Sequence, residues 1–242
     1  MLFVPSLGEE MNKSRRMVAL QARALAASGW IVLILDLFGC GDSEGDLGEA
    51  DWATWRGDVL AAVEHLRRES GQPPSIWAMR AGCLLASDAA RDLDTPAQLV
   101  FWQPQVSGRQ VLQQLLRLRV ASRLLLEGSR PRETAENLRE ALRSGATLEI
   151  AGYALPPSIA LPLDEARLAP PAGARVAWLE VVPAAGLQAS AAARAQADDW
   201  RHAGIEVSLR TVAGDAFWQT QEITECATLI EATRDAVAGW MR

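Results

Sequence analysis

An arginine occupies the position at which a catalytic turn of a known type carries its nucleophile. Residues 76–82 are Ile-Trp-Ala-Met-Arg-Ala-Gly, a short apolar strand and a tight turn, and a helix-compatible run begins at Cys83. This order, with small residues at Ala78 and Gly82, is typical of a nucleophile elbow, the G-x-S-x-G turn that exposes a serine. The guanidinium of Arg80 stays protonated at physiological pH and cannot attack a carbonyl. The sequence therefore predicts the strand, turn and helix of a nucleophile elbow without its usual nucleophile.

A glycine-rich turn precedes this frame in the chain. Residues 36–45 have the spacing D-x-x-G-x-G-x-S-x-G and directly follow the apolar run 30–35, which predicts a strand buried on both faces. The spacing resembles the turn after the fourth strand of α/β-hydrolases, where glycines let the backbone bend beside an active-site entrance. A tight strand-to-helix turn with capping acids has the same composition, and we assign Ser43 to the turn rather than to catalysis.

Several further segments resemble one family of α/β-hydrolases, the exosortase A system-associated hydrolases of the second type. The resemblance covers nearly the whole chain, and it is carried by segment 5–16, the turn 39–43, the arginine-centred elbow, and segments 151–153 and 217–219. The family has the α/β-hydrolase fold and is encoded near exopolysaccharide and protein-sorting genes in Gram-negative bacteria. The resemblance implies that fold, that genomic setting, and a hydrolase acting on an acyl ester or thioester.

Apolar runs and amphipathic stretches alternate along the chain, which predicts a parallel sheet covered by helices. We predict a single α/β domain, 1–242, with about six mostly parallel strands and a helical cap inserted near residues 105–165. The first two strands of the usual α/β-hydrolase fold are expected to be absent. Strands are predicted at 2–4, 30–35, 76–79, 98–102, 175–182 and 205–212, and helices at 14–28, 52–68, 83–90, 110–127, 131–143, 158–163, 188–202 and 222–240.

The remaining hydrolase positions hold unusual residues. The backbone N–H groups of Leu7 and Ala81 are expected to form the oxyanion hole. The acid position near the end of strand 175–182 holds Glu180, which could equally be a strand residue paired with an arginine. The base position after the last strand holds Asp215 and no histidine. The two histidines of the chain lie on other predicted helices, so we assign them structural roles.

Cys83 is the remaining candidate nucleophile, because a Ser-His-Asp or Cys-His arrangement lacks its first two members. It lies three residues after Arg80, at the start of the predicted elbow helix, and a helix N-terminus can lower the pKa of a thiol. A buried packing cysteine is the alternative.

Charged and aromatic residues are expected to meet at the elbow. Arg80 would lie at the centre, surrounded by Glu180 and Asp215, by Glu9 and Glu10 on the opening loop, and by Trp218. An unpaired buried guanidinium would be very costly, so one or two carboxylates are expected to hold it. One interpretation is a structural ion pair that fills an inactive site. The other is an anchor for a carboxylate or phosphate, which a planar bidentate donor suits well.

The amino-acid composition excludes several classes of binding partner. A net charge of −6 and an isoelectric point near 5.1, with a single lysine, argue against a nucleic acid or an anionic membrane surface. Three widely spaced cysteines fit reduced thiols in a cytoplasm and imply no metal or other cofactor. No apolar run is long enough for a membrane span. A small acyl or anionic ligand is expected, with a protein partner or a homo-oligomer as a further possibility.

Two functional hypotheses follow. The chain is an acyl ester or thioester hydrolase that relies on unconventional residues, related to polysaccharide or lipid metabolism. Alternatively, it is a catalytically inactive scaffold that binds an acyl or anionic ligand, or a protein of the export machinery. The missing histidine favours the second hypothesis.

Overall fold

The computed structural model describes residues 1–127 and 133–240, which form a parallel sheet covered by helices on both faces. The six strands are β1 (Leu2–Val4), β2 (Leu33–Ile34), β3 (Ile76–Met79), β4 (Gln98–Trp102), β7 (Arg175–Val182) and β8 (Glu206–Ala213). Their spatial order is β2-β1-β3-β4-β7-β8, and every neighbouring pair is parallel. The predicted α/β class and strand number are confirmed.

The helices that cover the sheet are α1 (Gly8–Ala27), α2 (Trp52–Ser70), α3 (Gly82–Ala90), α7 (Ala191–His202) and α8 (Ala227–Val237). Two buried clusters lie on opposite faces of the sheet. One includes residues of α2 and α3, and the other includes residues of α1 and α8 together with an aromatic group around Trp77 and Trp102. Apolar residues on both faces explain why β3 is buried throughout and why β4 is buried from Leu99 to Trp102.

The segment between β4 and β7 lies over the elbow. It contains α4 (Gly108–Glu127), α5 (Ala135–Arg143), an antiparallel hairpin of β5 (Leu148–Ile150) and β6 (Tyr153–Leu155), and α6 (Pro157–Glu165). The side chain of Thr134 caps the start of α5, and Arg139 of that helix pairs with Asp164 of α6 at 3.2 Å. The predicted helix 131–143 begins later than expected, and residues 131–132 lie outside the described part of the chain.

Several predicted boundaries were wrong. Strand β2 is two residues long and lies at the sheet edge, so Ile31 and Ile34 are exposed instead of buried on both faces. The first helix begins at Gly8 rather than at residue 14, since Leu7 has an extended backbone and acids follow in the first turn, where the helix dipole favours them. The last helix begins at Ala227 rather than at residue 222, because the preceding segment is irregular.

Candidate functional site

The elbow is present, and Arg80 is at its tip. Arg80 joins β3 directly to the turn before α3 and has a φ of 52°, a left-handed conformation that is unusual for a residue other than glycine. Its backbone N–H donates to the carbonyl of Trp102 at 2.9 Å. A Cβ atom on Gly82 would lie 2.1 Å from the carbonyl oxygen of Pro5, so only glycine fits where α3 crosses the end of β1.

The guanidinium of Arg80 is held by acceptors on every side. Nε and Nη2 donate to the same carboxylate oxygen of Glu10, at 3.0 and 2.9 Å. With its side-chain oxygen turned toward Arg80, the Gln105 amide accepts from Nη2 at 2.6 Å and from Nη1 at 2.9 Å. The carbonyl of Gln103 accepts from Nη1 at 3.5 Å, and the Trp218 ring centre lies 5.2 Å from Cζ. All five N–H donors of the guanidinium therefore have an acceptor.

The network continues from Glu10 to Ser6. The Ser6 hydroxyl donates to the second carboxylate oxygen of Glu10 at 2.7 Å. Ser6 is buried and lies between β1 and α1, and Glu10 is in the first turn of α1. The carboxylate of Glu10 thus neutralises Arg80 and also orders the start of α1.

The other predicted carboxylates do not contact Arg80. Glu180 is buried near the end of β7, where its carboxylate accepts from the backbone N–H of Ser190 at 2.8 Å and from the Ser190 hydroxyl at 3.3 Å. Because the Ser190 side chain in turn caps the start of α7, Glu180 supports that helix rather than the elbow. Asp215 is exposed, and the structure records no ion pair for its side chain among the described residues.

Glu9 pairs with a lysine of its own helix and not with Arg80. Its carboxylate pairs with Lys13 one turn later on α1, at 3.0 Å, and about half of the Glu9 side chain is exposed. Among the carboxylates of the described residues, Glu10 is the one that forms a salt bridge with Arg80.

Cys83 is a packing residue in this structure. It is fully buried within the cluster that contains α2 and α3. Burial raises the pKa of the Cys83 thiol well above its ordinary value, and the nearby charge of Arg80 opposes that shift only in part. Of the two readings of Cys83, the burial and the raised pKa favour the packing cysteine over the nucleophile, because the desolvated site disfavours the thiolate.

Two backbone N–H groups beside the elbow are without partners. Leu7 lies just before α1 and Ala81 just before α3, and neither N–H has a hydrogen-bond partner among the described residues. Both residues line the same cavity. Two N–H groups in such a place can donate to a ligand oxygen, as an oxyanion hole does.

A cavity of about 370 Å³ lies between the elbow and the segment above it. Its lining is mainly apolar, and the residues come from the start of α1, the turn after β2, α2, α4, the β5–β6 hairpin, α6 and the loop after β8. Its apolar side chains include Leu37, Leu47, Trp55, Val111, Leu115, Leu118, Ile150, Leu155, Ile159 and Trp218. Cavities of this kind suit small apolar ligands.

Most polar side chains of the cavity already have partners. Tyr153 on β6 accepts a short hydrogen bond from Asn12 on α1, and its ring packs against Gly8, where an added Cβ would lie 3.6 Å from the ring. This contact joins the hairpin wall to α1.

Cys40, a further lining residue, has its pKa raised to about 11, mainly by burial and then by Asp36 and Asp58.

Neither histidine is near this site. His65 lies on α2 and His202 at the end of α7, and both are exposed. Neither lines the cavity. Among the described residues there is also no group of three or more side chains placed to hold a metal ion, and no helix long and apolar enough to cross a membrane.

Solved structures with similar architecture identify the fold. Ferulic-acid-bound Est1E from Butyrivibrio proteoclasticus matches 98% of this chain and 88% of its own, with a TM-score of 0.67 and 16% identity. Mouse α/β hydrolase domain-containing protein 10 matches 99% and 89%, with a TM-score of 0.55 and 16% identity. The chain has the α/β-hydrolase fold. An α/β hydrolase from Sphaerobacter thermophilus also matches, over 97% and 91%, with a TM-score of 0.50 and 18% identity.

No family model and no curated protein sequence matches the chain. The likeness to the solved α/β-hydrolase-fold structures lies at identities of 16–18%, so it establishes the fold and leaves the chemistry to the residues of the site.

Three features of the site were missed at the sequence level. Gln103 and Gln105 follow β4 in an irregular loop and belong to no motif, yet both accept from Arg80. Ser6 lies in segment 5–16, and the sequence indicated no role for its hydroxyl. The one available signal was that parallel strands end at the same edge of a sheet, which brings the residues after β1, β3 and β4 together.

Proposed function

We propose that this α/β-hydrolase-fold protein binds a ligand with an apolar acyl chain in the cavity above the elbow and does not hydrolyse it. The observation that carries this proposal is the state of Arg80. A fully hydrogen-bonded guanidinium occupies the nucleophile position beside a mainly apolar cavity. The site retains a place for a ligand and lacks the group that would attack it.

The absence of a base supports the same conclusion. Acyl transfer needs a proton acceptor within hydrogen-bond reach of the nucleophile, and neither histidine of the chain is near the cavity. Asp215, at the expected base position, is exposed, and Glu180 is engaged with Ser190. Glu10 is engaged with Arg80 and Ser6.

Arg80 fits a structural ion pair better than an anion anchor. An anion anchor needs unsatisfied donors directed at the ligand, and every N–H of Arg80 already has an acceptor within the protein. The polar end of the ligand is instead assigned to the backbone N–H groups of Leu7 and Ala81. These can donate to a carbonyl or carboxylate oxygen while the acyl chain lies along the apolar lining.

Hydrolysis of an acyl ester or thioester is the second candidate function. The backbone donors of Leu7 and Ala81 favour it, because an oxyanion hole is the part of hydrolase machinery that this chain retains. The resemblance to the exosortase A system-associated hydrolases suggests, for either function, a cytoplasmic role beside an exopolysaccharide system in polysaccharide or lipid metabolism.

A pair of measurements separates the two functions. Fluorescence titration with anilinonaphthalene sulfonate and competition by decanoate reports binding in the cavity, and a fluorophosphonate probe reports an activated nucleophile. We expect competition by decanoate and no labelling by the probe. Labelling that is lost in the Ser6→Ala or Cys83→Ala protein would identify a nucleophile and favour the hydrolase.

A further inference from the structure

The cavity has an open end and a closed end, because the residues that line it differ in solvent exposure. Leu118 on α4 lines it with 45% of its surface exposed, and Gln114 and Gln219 are exposed as well. At the other extreme, Leu37, Trp55 and Ile159 line the same cavity with no more than 2% of each residue exposed. The exposed residues mark the mouth, and the buried ones form a closed end, which we call the floor.

The floor offers no hydrogen bonds to a ligand. Leu37 and Ile159 are purely apolar, and the indole N–H of Trp55 is already donated to the carbonyl of Phe38 at 3.0 Å. A hydroxyl or sugar group placed there would be desolvated without a partner, which is costly. A saturated hydrocarbon chain suits this floor, and a carbohydrate does not.

The polar side chains elsewhere in the lining are also largely engaged with protein groups. Glu10 is bound to Arg80 and Ser6, and Glu9 to Lys13. Tyr153 is bound to Asn12. The cavity therefore recognises its ligand mainly by shape and apolar contact.

We propose that the ligand is a straight acyl chain of about ten carbons whose terminal methyl group reaches Ile159 on the floor. The inference rests on the proposed function. A cavity of about 370 Å³ has room for about twelve non-hydrogen atoms if each takes roughly 30 Å³, the share of a water molecule in the liquid. A carboxylic acid with ten carbons and two oxygens has that number of atoms. Part of a longer chain must extend out of the cavity through the mouth, past Leu118.

The test measures the dissociation constants of saturated fatty acids from six to sixteen carbons, below their micelle concentrations, by displacement of anilinonaphthalene sulfonate. Each methylene that enters an apolar site strengthens binding by about fourfold. We expect that gain for each carbon up to about ten, and little gain beyond. A methyl ester series is expected to reach its limit at the same acyl length.

Two substitutions in the floor should shift, in opposite directions, the acyl chain length beyond which affinity stops rising. Ile159→Ala removes three carbons and is expected to lengthen the preferred chain by about three carbons, and Ile159→Phe adds three and shortens it by about three. Ile223→Phe is the matched control, because Ile223 is exposed and lies outside the cavity lining. It should keep the wild-type limit.

The outcomes separate this inference from the function on which it rests. If affinity rises steadily to sixteen carbons, or if both Ile159 variants keep the wild-type limit while the dye and decanoate still compete, the floor assignment is wrong and acyl binding stands. If neither the dye nor any fatty acid binds, the proposed function and the inference both fail.

Discussion

Arg80 and Glu10, seventy residues apart in the chain, form a salt bridge in which two guanidinium nitrogens share one carboxylate oxygen at 2.9 and 3.0 Å. The bridge joins the tip of the elbow to the first turn of α1. The side chain of Arg80 is 14% exposed and that of Glu10 is 31% exposed, so the pair is shielded from water without being fully buried. The tip of the elbow, where the sequence analysis expects a nucleophile, thus holds an internal ion pair.

The pair is expected to stabilise the fold, because removal of Arg80 leaves Glu10 shielded and unpaired. Arg80→Ala should lower the free energy of unfolding by about 2 kcal/mol, less than a fully buried pair would lose, since Glu10 keeps partial contact with water. Urea denaturation measures the change. Glu9→Ala removes the exposed Glu9–Lys13 pair and should cost less than about 0.5 kcal/mol.

A double substitution tests the cause of that loss. Arg80→Met combined with Glu10→Gln replaces both charges by neutral groups of similar size, and we expect it to recover most of the stability. If Arg80→Ala alone proves as stable as the wild-type protein, the ion pair contributes nothing and the structural role assigned to Arg80 is wrong.

Arg80→Ser should not create a hydrolase. A serine at the elbow would still lack a histidine, and the chain's two histidines are exposed on α2 and α7. Release of p-nitrophenol from short p-nitrophenyl esters should match the wild-type protein and the Arg80→Ala control. Turnover in Arg80→Ser well above both would reveal a base that we have not recognised.

The hydrogen bond from Asn12 to Tyr153 should slow the exchange of ligand. It holds the β5–β6 hairpin against α1 at the cavity wall. Its loss in Tyr153→Phe is expected to raise the dissociation rate of decanoate about fivefold, the equivalent of one neutral hydrogen bond. Stopped-flow displacement measures this rate.

Asn12→Ala should have the same effect, and the double variant should be no faster than either single one. Additive effects of the two substitutions would show that the two side chains act independently.

We expect the alkylation rate of Cys40 to depend on occupancy of the cavity, because Cys40 lines it. Because its pKa is raised to about 11, the thiol stays protonated at neutral pH, and alkylation by iodoacetamide should be slow at pH 7 and accelerate as the pH rises toward 11. Decanoate in the cavity should slow the reaction at every pH. Mass spectrometry of the modified peptide gives the rate.

Cys83 is the internal control for that experiment. It is fully buried, and burial raises its pKa well above the ordinary value, so it should stay unmodified until the protein unfolds. Equal labelling of Cys40 with and without decanoate would indicate that the ligand does not enter this cavity.

The fold was predictable because its signals are local and periodic. Each strand of the parallel sheet is a short apolar run, and each run is followed by an amphipathic stretch. The elbow was recognised from residue sizes, since a glycine at position 82 is required where α3 meets the carbonyl of Pro5. The prediction that strand 30–35 is buried on both faces was wrong, because an apolar run does not reveal whether a strand lies at the edge of a sheet.

The partner of Arg80 was predictable only as one of several acids. The choice between Glu9 and Glu10 depends on where α1 begins, because successive helical residues point about 100° apart. With the start at Gly8, Glu10 faces the elbow and Glu9 faces Lys13. Gln105 and the cavity could not be predicted, since both depend on how the segment after β4 folds over the sheet.

The most direct test of ligand binding without hydrolysis is to saturate the wild-type protein with methyl decanoate and to identify what it later releases. Mass spectrometry of the extracted ligand distinguishes intact ester from decanoic acid in the same sample in which binding is measured. We expect stoichiometric binding and release of intact methyl decanoate, because the tip of the elbow carries a hydrogen-bonded arginine instead of a nucleophile. Release of decanoic acid at a rate above that of buffer alone, abolished by heat denaturation, would contradict it.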